Sequence, residues 1–215
     1  MKELHEIHKQ TYDSLASEYN QKWKGYLEHQ RSVLLPFVDL IKDKFDEEVC
    51  VLDVGCGVGL DLFILNENGI EVVGIDLSSE MAKYAQNNVP DAKVLVGNFL
   101  EYNFDKQYQG IVMDVFVHLF PSEVVSEIFG KLKKLVVPGG YVFISTTLHD
   151  DAKEGWYEKE DYLGGQKRYR RYYTKKDFLE LFDVFGVKII KVYEDSNEVS
   201  DKHFINTIIQ FEEKN

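Results

Sequence analysis

The sequence is poor in the residues that mark disulfide-bonded, metal-binding and membrane-spanning proteins. Only two cysteines, Cys50 and Cys56, and four prolines occur among 215 residues. Two cysteines beside one apolar run make no disulfide framework, and no C-x-x-C pair or H-E-x-x-H motif indicates a metal. No apolar run approaches the roughly 20 residues of a transmembrane helix, and the first residues are too charged for a secretory signal. We therefore expect a cytoplasmic protein without metal or membrane attachment.

Positive charge is also scarce. The chain has 25 Lys and Arg against 37 Asp and Glu, a net charge of −12. A field of this sign repels polyanions, so a nucleic acid is an unlikely partner. One exception is the basic cluster Lys167, Arg168, Arg170 and Arg171, which alternates with tyrosines. It is consistent with a solvated loop face or with a site for one carboxylate or phosphate of a small substrate, and a nucleic-acid contact ranks behind both.

The rest of the composition is that of one well-buried domain. A hydrophobic content of 44% and a charged content of 29% are ordinary for globular proteins, and no Pro- or Gly-rich linker divides the chain. Strand-like and helix-like segments alternate, which predicts a parallel α/β sheet with helices on both faces. The predicted strands span 49–54, 71–75, 93–96, 110–115, 140–146, 187–194 and 203–212, and the predicted helices span 3–24, 26–45, 60–68, 79–87, 122–136 and 174–185.

A glycine-rich bend follows the first predicted strand. The run VLDVGCGVG ends an apolar stretch in Asp53 and then has Gly55, Gly57 and Gly59 at alternate positions. Glycines at such a bend let the backbone turn sharply and let a ligand lie against bare peptide groups. A strand-to-helix turn of this kind is where open α/β sheets bind nucleotide-like ligands.

The spacing of the glycines narrows the choice of ligand. A dinucleotide fingerprint, G-x-G-x-x-G, needs its third glycine where Leu60 stands, so a nicotinamide oxidoreductase is disfavoured. The element instead resembles the D/E-x-G-x-G-x-G motif of the class I S-adenosylmethionine (SAM)-dependent methyltransferases. The resemblance covers roughly residues 45–148 well and the remainder loosely. It implies a Rossmann-like, seven-stranded, mostly parallel sheet with the last strand antiparallel, and SAM as cofactor with S-adenosyl-L-homocysteine (SAH) as product.

Asp76 lies at the end of the second predicted strand, 17 residues after Gly59. A carboxylate there can accept hydrogen bonds from both ribose hydroxyls of a nucleotide-like ligand, which is the role that the resemblance implies. The alternative is an N-cap of the next helix, but Ser78 and Ser79 can serve as caps without it. We therefore prefer the ribose role.

Other cofactor contacts are expected along the same edge. The resemblance implies Leu77 and Asn98 at the adenine, with Asn98 in place of the family's usual aspartate, and Asp114 or Val115 at the methionine amino group. Phe99 packs on the adenine or belongs to the core. Asp53 holds the glycine loop or reaches the ligand's ammonium through water, and Cys56 is a small residue filling that loop. Tyr19 lies near the ligand on a leading helix, whose apolar stripe also packs on the domain.

Two further regions concern the methyl acceptor. His118, after the fourth predicted strand, is a candidate general base, or it shapes the pocket without a base role. The segment 149–173 is long, lacks evident regular structure and is rich in aromatic residues, so we predict an acceptor-side lid with possible hinges at Gly155 and at 164–165. Its candidate substrate contacts are Trp156, Tyr157, Arg171 and Tyr172.

The sequence thus predicts a SAM-dependent methyltransferase acting on O or N of a small-molecule acceptor. The alternatives are a tRNA or protein methyltransferase and a SAM-binding module without turnover. We expect a monomer or homodimer and a single domain, 1–215. Its predicted parts are an N-terminal helical cap (1–47), a SAM-binding core (48–148), the lid (149–173), and a C-terminal helix with edge strands (174–215).

Overall fold

The structure, a computed structural model, describes residues 2–45, 49–158, 167–197 and 202–211. Its helices are α1 (Lys2–Lys44), α2 (Leu60–Glu67), α3 (Ser79–Asn88), α4 (Ser122–Leu135) and α5 (Lys175–Phe185), with a short 3₁₀ helix at Val117–Leu119. Its strands are β1 (Cys50–Val54), β2 (Glu71–Asp76), β3 (Lys93–Val96), β4 (Tyr108–Met113), β5 (Val136–Thr147), β6 (Lys153–Glu158), β7 (Lys167–Tyr172), β8 (Val187–Asn197) and β9 (Lys202–Phe211).

Seven of these strands form one sheet in the order β3-β2-β1-β4-β5-β9-β8. Strands β1 to β5 pair in parallel, and β9 runs antiparallel to both β5 and β8. The predicted seven-stranded, mostly parallel α/β sheet with an antiparallel last strand is confirmed. The chain order reverses direction at β1, which lies between β2 and β4, and ligands bind open α/β sheets at the carboxyl edge beside such a point.

The predicted break between two leading helices is wrong, because α1 continues through Gly25. A glycine inside a helix costs about 1 kcal/mol relative to alanine. Burial offsets this cost on both sides of the glycine: Trp23 is buried before it, and Phe37 and Ile41 are buried against the sheet after it. The amino-terminal half of α1 is thereby carried over the carboxyl edge of the sheet.

The segment 149–173 also differs from the prediction of an irregular loop. β6 and β7 pair antiparallel as a separate two-stranded sheet, with Trp156 opposite Tyr169. We call this pair the β6–β7 hairpin. The candidate hinge 164–165 lies outside the described residues, and the assignment as a lid remains a prediction.

β5 begins at Val136, before the predicted start at residue 140, so that it includes Pro138, Gly139 and Gly140. These residues lie at an irregularity in the pairing with β4, where the partner of Tyr108 is Val136 and the partner of Gly110 is Tyr141. Gly139 has φ +73°, which a glycine adopts without strain.

Within the described residues, no helix combines the length and apolarity needed to cross a bilayer. The same part of the chain contains no group of three or more His, Cys, Asp or Glu side chains arranged to hold a metal ion.

Candidate functional site

A cavity of about 350 Å³ lies at the carboxyl edge of the sheet, lined in part by α1 and by the β6–β7 hairpin. Its size is within the range of small-molecule sites. Most of the predicted cofactor residues line it: Tyr19, Gly55, Cys56, Gly57, Asp76, Leu77, Asn98, Phe99, Asp114 and Val115. His118 lines it as well. The cavity therefore brings together side chains from distant parts of the sequence.

The three glycines of the bend have different surroundings. All three have positive φ, and the N–H groups of Gly55 and Cys56 donate to the Ile75 carbonyl at 2.8 and 3.2 Å. A Cβ on Gly57 would meet nothing within 4 Å, whereas a Cβ on Gly59 would lie 3.1 Å from Cα of Ala85 in α3. Gly57 thus leaves open space on the cavity wall, while Gly59 does not line the cavity and permits close packing of α3.

Asp76 holds the bend from the neighbouring strand. Its Oδ2 accepts from the Gly57 N–H at 2.9 Å, and its Oδ1 accepts from the Ser78 N–H at 2.8 Å. Burial raises the pKa of the Asp76 carboxyl to about 6, against the effect of these hydrogen bonds. Ser78 is the N-cap of α3 and accepts from the Met81 N–H at 3.1 Å, so Asp76 is not needed as the cap.

A chain of buried polar groups crosses the floor of the cavity. Nε2 of Gln30 donates to Oδ1 of Asp61 at 2.7 Å and to Oδ2 of Asp114 at 3.2 Å. The Ser145 hydroxyl donates to the other oxygen of Asp114. Burial raises the pKa of Asp114 to about 6 and raises that of Asp61 well above its ordinary value, with Asp114 adding to the shift of Asp61. Three carboxyls, including Asp76, therefore face one cavity in an environment that favours a positively charged ligand.

Asp53 lies behind this floor and does not line the cavity. Its Oδ2 is buried without a hydrogen-bond partner in the described part of the chain. Burial, and then the charges of Asp61, Asp114 and Asp76, raise its pKa well above the ordinary range. The predicted direct hold of Asp53 on the glycine loop is absent among the described contacts, since the backbone of β2 and Asp76 hold that loop instead. A route from Asp53 to the ligand's ammonium through water stays a prediction.

Val115 has φ +49°, and no other non-glycine residue in the described chain has a positive φ. A β-branched residue in the left-handed region is strained, and such strain concentrates at functional sites. The Val115 N–H donates to Oγ of Ser145 at 3.0 Å, the same hydroxyl that donates to Asp114. Ser145 therefore fixes both residues at the end of β4.

At the end of β3, Asn98 accepts from the Leu100 N–H at 3.0 Å, and its Nδ2 lies 3.0 Å from Nδ1 of His5 in α1. Phe99 both lines the cavity and belongs to the core, with its ring against Phe104 and Phe116. Phe99 can therefore belong to the core and still offer its ring to a ligand in the cavity.

Cys56 is buried, and burial followed by the charge of Asp76 raises its thiol pKa well above the ordinary value. A neutral, enclosed thiol is a poor nucleophile. The interpretation of Cys56 as a small residue filling the loop is consistent with this environment.

The opposite side of the cavity is basic. Arg168 and Arg170 are only 6% and 8% exposed and line the cavity, so the interpretation of the basic cluster as a solvated face is wrong for these two residues. Residues two apart on a strand share a face. Arg171 lies on the other face, where its Nε is 3.8 Å from Oε2 of Glu154. In the β7 sequence KRYRRY, side chains alternate between the two faces of the strand, and this alternation could have identified Arg168 and Arg170 as a pair on one face.

The four predicted substrate residues, Trp156, Tyr157, Arg171 and Tyr172, are outside the described lining of the cavity. Trp156 is 45% exposed but its ring contacts that of His8, which does line the cavity, at a centroid distance of 6.2 Å. The cavity instead receives Gln30, Asp61, Arg168 and Arg170. Gln30 and Asp61 carried no recognisable motif, because helical side chains become site residues only through packing.

Three histidines approach the basic side. His118 is buried in the 3₁₀ helix and lines the cavity. Burial lowers the pKa of His8 to about 4, assisted by the charges of His5 and Arg168, and burial with the charge of Arg170 lowers that of His149 to about 4. His8 and His149 are therefore neutral at pH 7, and the arginines carry the positive charge.

Comparison with known proteins identifies the family. Residues 26–192 match the family model described as a methyltransferase domain. An uncharacterized methyltransferase from Geobacillus sp. (strain WCH70) is 30% identical over 193 residues, covering 83% of this chain and 88% of that protein.

Solved structures agree on the fold. The DhpI–SAH complex has a TM-score of 0.73 at 18% identity and covers 100% of both chains. A Burkholderia thailandensis 1,6-didemethyltoxoflavin-N1-methyltransferase, with bound 1,6-didemethyltoxoflavin and SAH, has a TM-score of 0.67 at 18% identity and covers 95% of this chain and 91% of that one. With the motif, the sheet order and the family match in agreement, the chain belongs to the methyltransferase domain family and has the class I SAM-dependent methyltransferase fold.

Proposed function

We propose that this SAM-dependent methyltransferase transfers the methyl group to an oxygen or nitrogen atom of a small-molecule acceptor. The observation that carries the proposal is one cavity that is acidic at the glycine bend and basic beneath the β6–β7 hairpin. A solved neighbour of the same fold holds a small heterocycle together with SAH, which supports an acceptor of that size.

The residues of the acidic side fit the proposed cofactor. Gly57 leaves open space where a Cβ would otherwise project, and Asp76 offers carboxylate oxygens to ribose hydroxyls. Asp61 and Asp114 supply negative charge for a ligand that carries both an ammonium and a sulfonium group. Buried carboxyls of raised pKa are stabilised in their ionised form by such a positive neighbour.

The sulfonium of SAM supplies a methyl group that is already activated, so the transfer is an in-line displacement. The protein's contribution is then mainly alignment and exclusion of water, which can be worth roughly 7–11 kcal/mol. Gln30 and Ser145 orient the carboxyls at the floor of the cavity. His118, buried on the cavity wall, is proposed to accept the proton that the acceptor hydroxyl or amine loses.

A tRNA or protein acceptor is less well supported. Its only motif is the basic cluster, and two of the four residues of that cluster, Arg168 and Arg170, are buried and line the cavity. Contacts to a phosphate backbone need exposed cations.

Two measurements test the proposal. Calorimetry measures the binding of SAM and SAH, and mass spectrometry then detects methylated products in reactions with O- and N-nucleophilic metabolites and with bulk tRNA. We expect binding of both cofactor forms and methylation of a small molecule. Absence of binding would refute the cofactor site. Methylation of tRNA alone would refute the small-molecule acceptor, and binding without any product would indicate a SAM-binding module.

A further inference from the structure

We propose that Arg168 and Arg170 form an oxyanion subsite, and that the methyl acceptor carries a carboxylate or phosphate group bound there. The inference rests on the proposed function and extends it to the chemical class of the acceptor. It starts from two guanidinium groups of β7 that share one face of the strand and line the same cavity as the cofactor residues.

Arg170 is held in position from two sides. Its Nη2 donates to Oγ1 of Thr147, at the end of β5, at 2.7 Å. The guanidinium also lies over the ring of Tyr172, with 4.8 Å between its Cζ and the ring centroid. A guanidinium fixed in plane presents its N–H donors as a fork that matches an oxyanion.

Arg168 lies two residues earlier and faces α1. Its Nη1 is 3.5 Å from Oη of Tyr12, which also lines the cavity. Side chains two residues apart on a strand emerge about 7 Å from one another. Two long guanidinium side chains with this spacing can converge on one group of two or three oxygens.

Among the described residues, the charge around this pair favours an anion. His8 and His149 are held neutral in part by the positive charges of Arg168 and Arg170, so the field of the arginines extends to both rings. Lys202 lines the same side and also lowers the pKa of His149. Attraction between charges is strengthened in a buried, low-dielectric wall.

Asp195 is a further carboxylate of the described cavity lining, and its charge acts on Asp114. Oδ1 of Asp195 is 2.8 Å from Nε2 of His29, and its Oδ2 accepts from Nδ2 of Asn206 at 2.5 Å. These contacts orient both oxygens toward β9 and α1, so Asp195 is engaged apart from the arginine pair.

Binding of inorganic phosphate and of acetate to the SAH-saturated protein, measured by calorimetry at constant ionic strength, tests the subsite. We expect at least one anion to bind, and the double variant Arg168→Met/Arg170→Met to bind it about tenfold or more weakly, since truncating one partner of a buried charge pair has effects of this size or larger. The affinity for SAH should be unchanged. Lys176→Met, which removes one exposed positive charge of α5, is the matched control and should bind the anion like wild type.

The outcomes distinguish failure of the proposed function from failure of the subsite. Absence of SAH binding by the wild-type protein would refute the proposed function itself. Normal SAH binding without phosphate or acetate binding, or equal anion binding by the double variant, would refute the subsite alone. Binding of only phosphate or only acetate would support the subsite and identify the class of acceptor. If the double variant does not fold, Arg170→Lys serves instead: it keeps the charge but loses the fork, and an unchanged anion affinity in that variant would overturn the proposal.

Discussion

The acidic and basic sides of the cavity are built from different kinds of structure. The acidic side consists largely of loops that follow β1, β2 and β4, where neighbouring parallel strands end together and the backbone supplies much of the binding surface. Gln30 of α1 and Asp61 of α2 complete its floor. The basic side consists of side chains from β7 packed against α1, which come from opposite ends of the sequence. The acidic side thus follows largely from a local motif, whereas the basic side depends on long-range docking of a hairpin.

The two sides also differ in how their charge responds to pH. On the acidic side, the pKa values of Asp76 and Asp114 are raised to about 6 and lie close to working pH. On the basic side, His8 and His149 have pKa values lowered to about 4, and the arginines remain charged throughout. Ligand binding at the acidic side should therefore weaken in mild acid, whereas anion binding at the basic side should not change.

The largest expected effect is that of Asp76→Ala. Loss of two charge-assisted hydrogen bonds should weaken SAH binding about 100-fold or more, while anion binding at the basic side persists. Calorimetry measures both. Asp91→Ala, at an exposed position after α3, is the control and should leave the SAH affinity unchanged. An unaltered affinity in folded Asp76→Ala would remove this residue from the cofactor site.

His118→Asn tests whether His118, which lines the cavity, acts as a general base. If His118 accepts the acceptor's proton, kcat should fall about 100-fold, and the acidic limb of the pH profile of kcat should disappear. SAH affinity, measured in parallel, should be that of wild type. A variant with normal kcat and pH profile would show that His118 only shapes the pocket.

The glycines of the bend separate binding from stability. Gly57→Ala places a methyl group in the open space of the cavity and should weaken SAH binding, with about 1 kcal/mol of lost stability from an alanine at φ +52°. Gly59→Ala combines φ +91° with a contact of 3.1 Å to Cα of Ala85 and should lower the free energy of unfolding by about 1–3 kcal/mol. Denaturant unfolding and SAH titration of both variants measure the difference. Equal effects of the two variants on both quantities would contradict this division of roles.

The smallest expected effect is that of pH on the wild-type protein. Because its pKa is raised, the Asp76 carboxyl of the folded, ligand-free protein takes up a proton as the pH falls through about 6. In the unfolded chain the same carboxyl takes up a proton only near pH 3.8. The ionised acceptor of ribose hydroxyls is then lost, so SAH affinity should fall about tenfold from pH 7 to pH 5.

Acetate affinity at the basic side should stay constant from pH 8 to pH 6, because His8 and His149, whose pKa values are lowered to about 4, stay neutral beside Arg168 and Arg170 in that interval. Calorimetry of SAH binding from pH 7 to pH 5, and of acetate binding from pH 8 to pH 6, checks both trends. A parallel fall of the two affinities would break the proposed contrast between the sides.

The positions of the seven sheet strands along the chain, the glycine bend and the place of Asp76 at a strand end were readable from the sequence, because each depends on a few neighbouring residues. A buried run, a bend without Cβ atoms and a carboxylate at a strand end have local physical causes. The continuity of α1 was not readable, since the cost of Gly25 is offset by burial of residues on both sides of it.

The sequence by itself thus determined the α/β fold and the family motif at the end of β1. Only the tertiary structure decided which two arginines of the basic cluster face the cavity, and that Gln30 and Asp61 meet Asp114 on its floor. The physical reason is that a strand has two faces, and the side against which a hairpin docks is set by packing with α1 rather than by the residues of the hairpin alone.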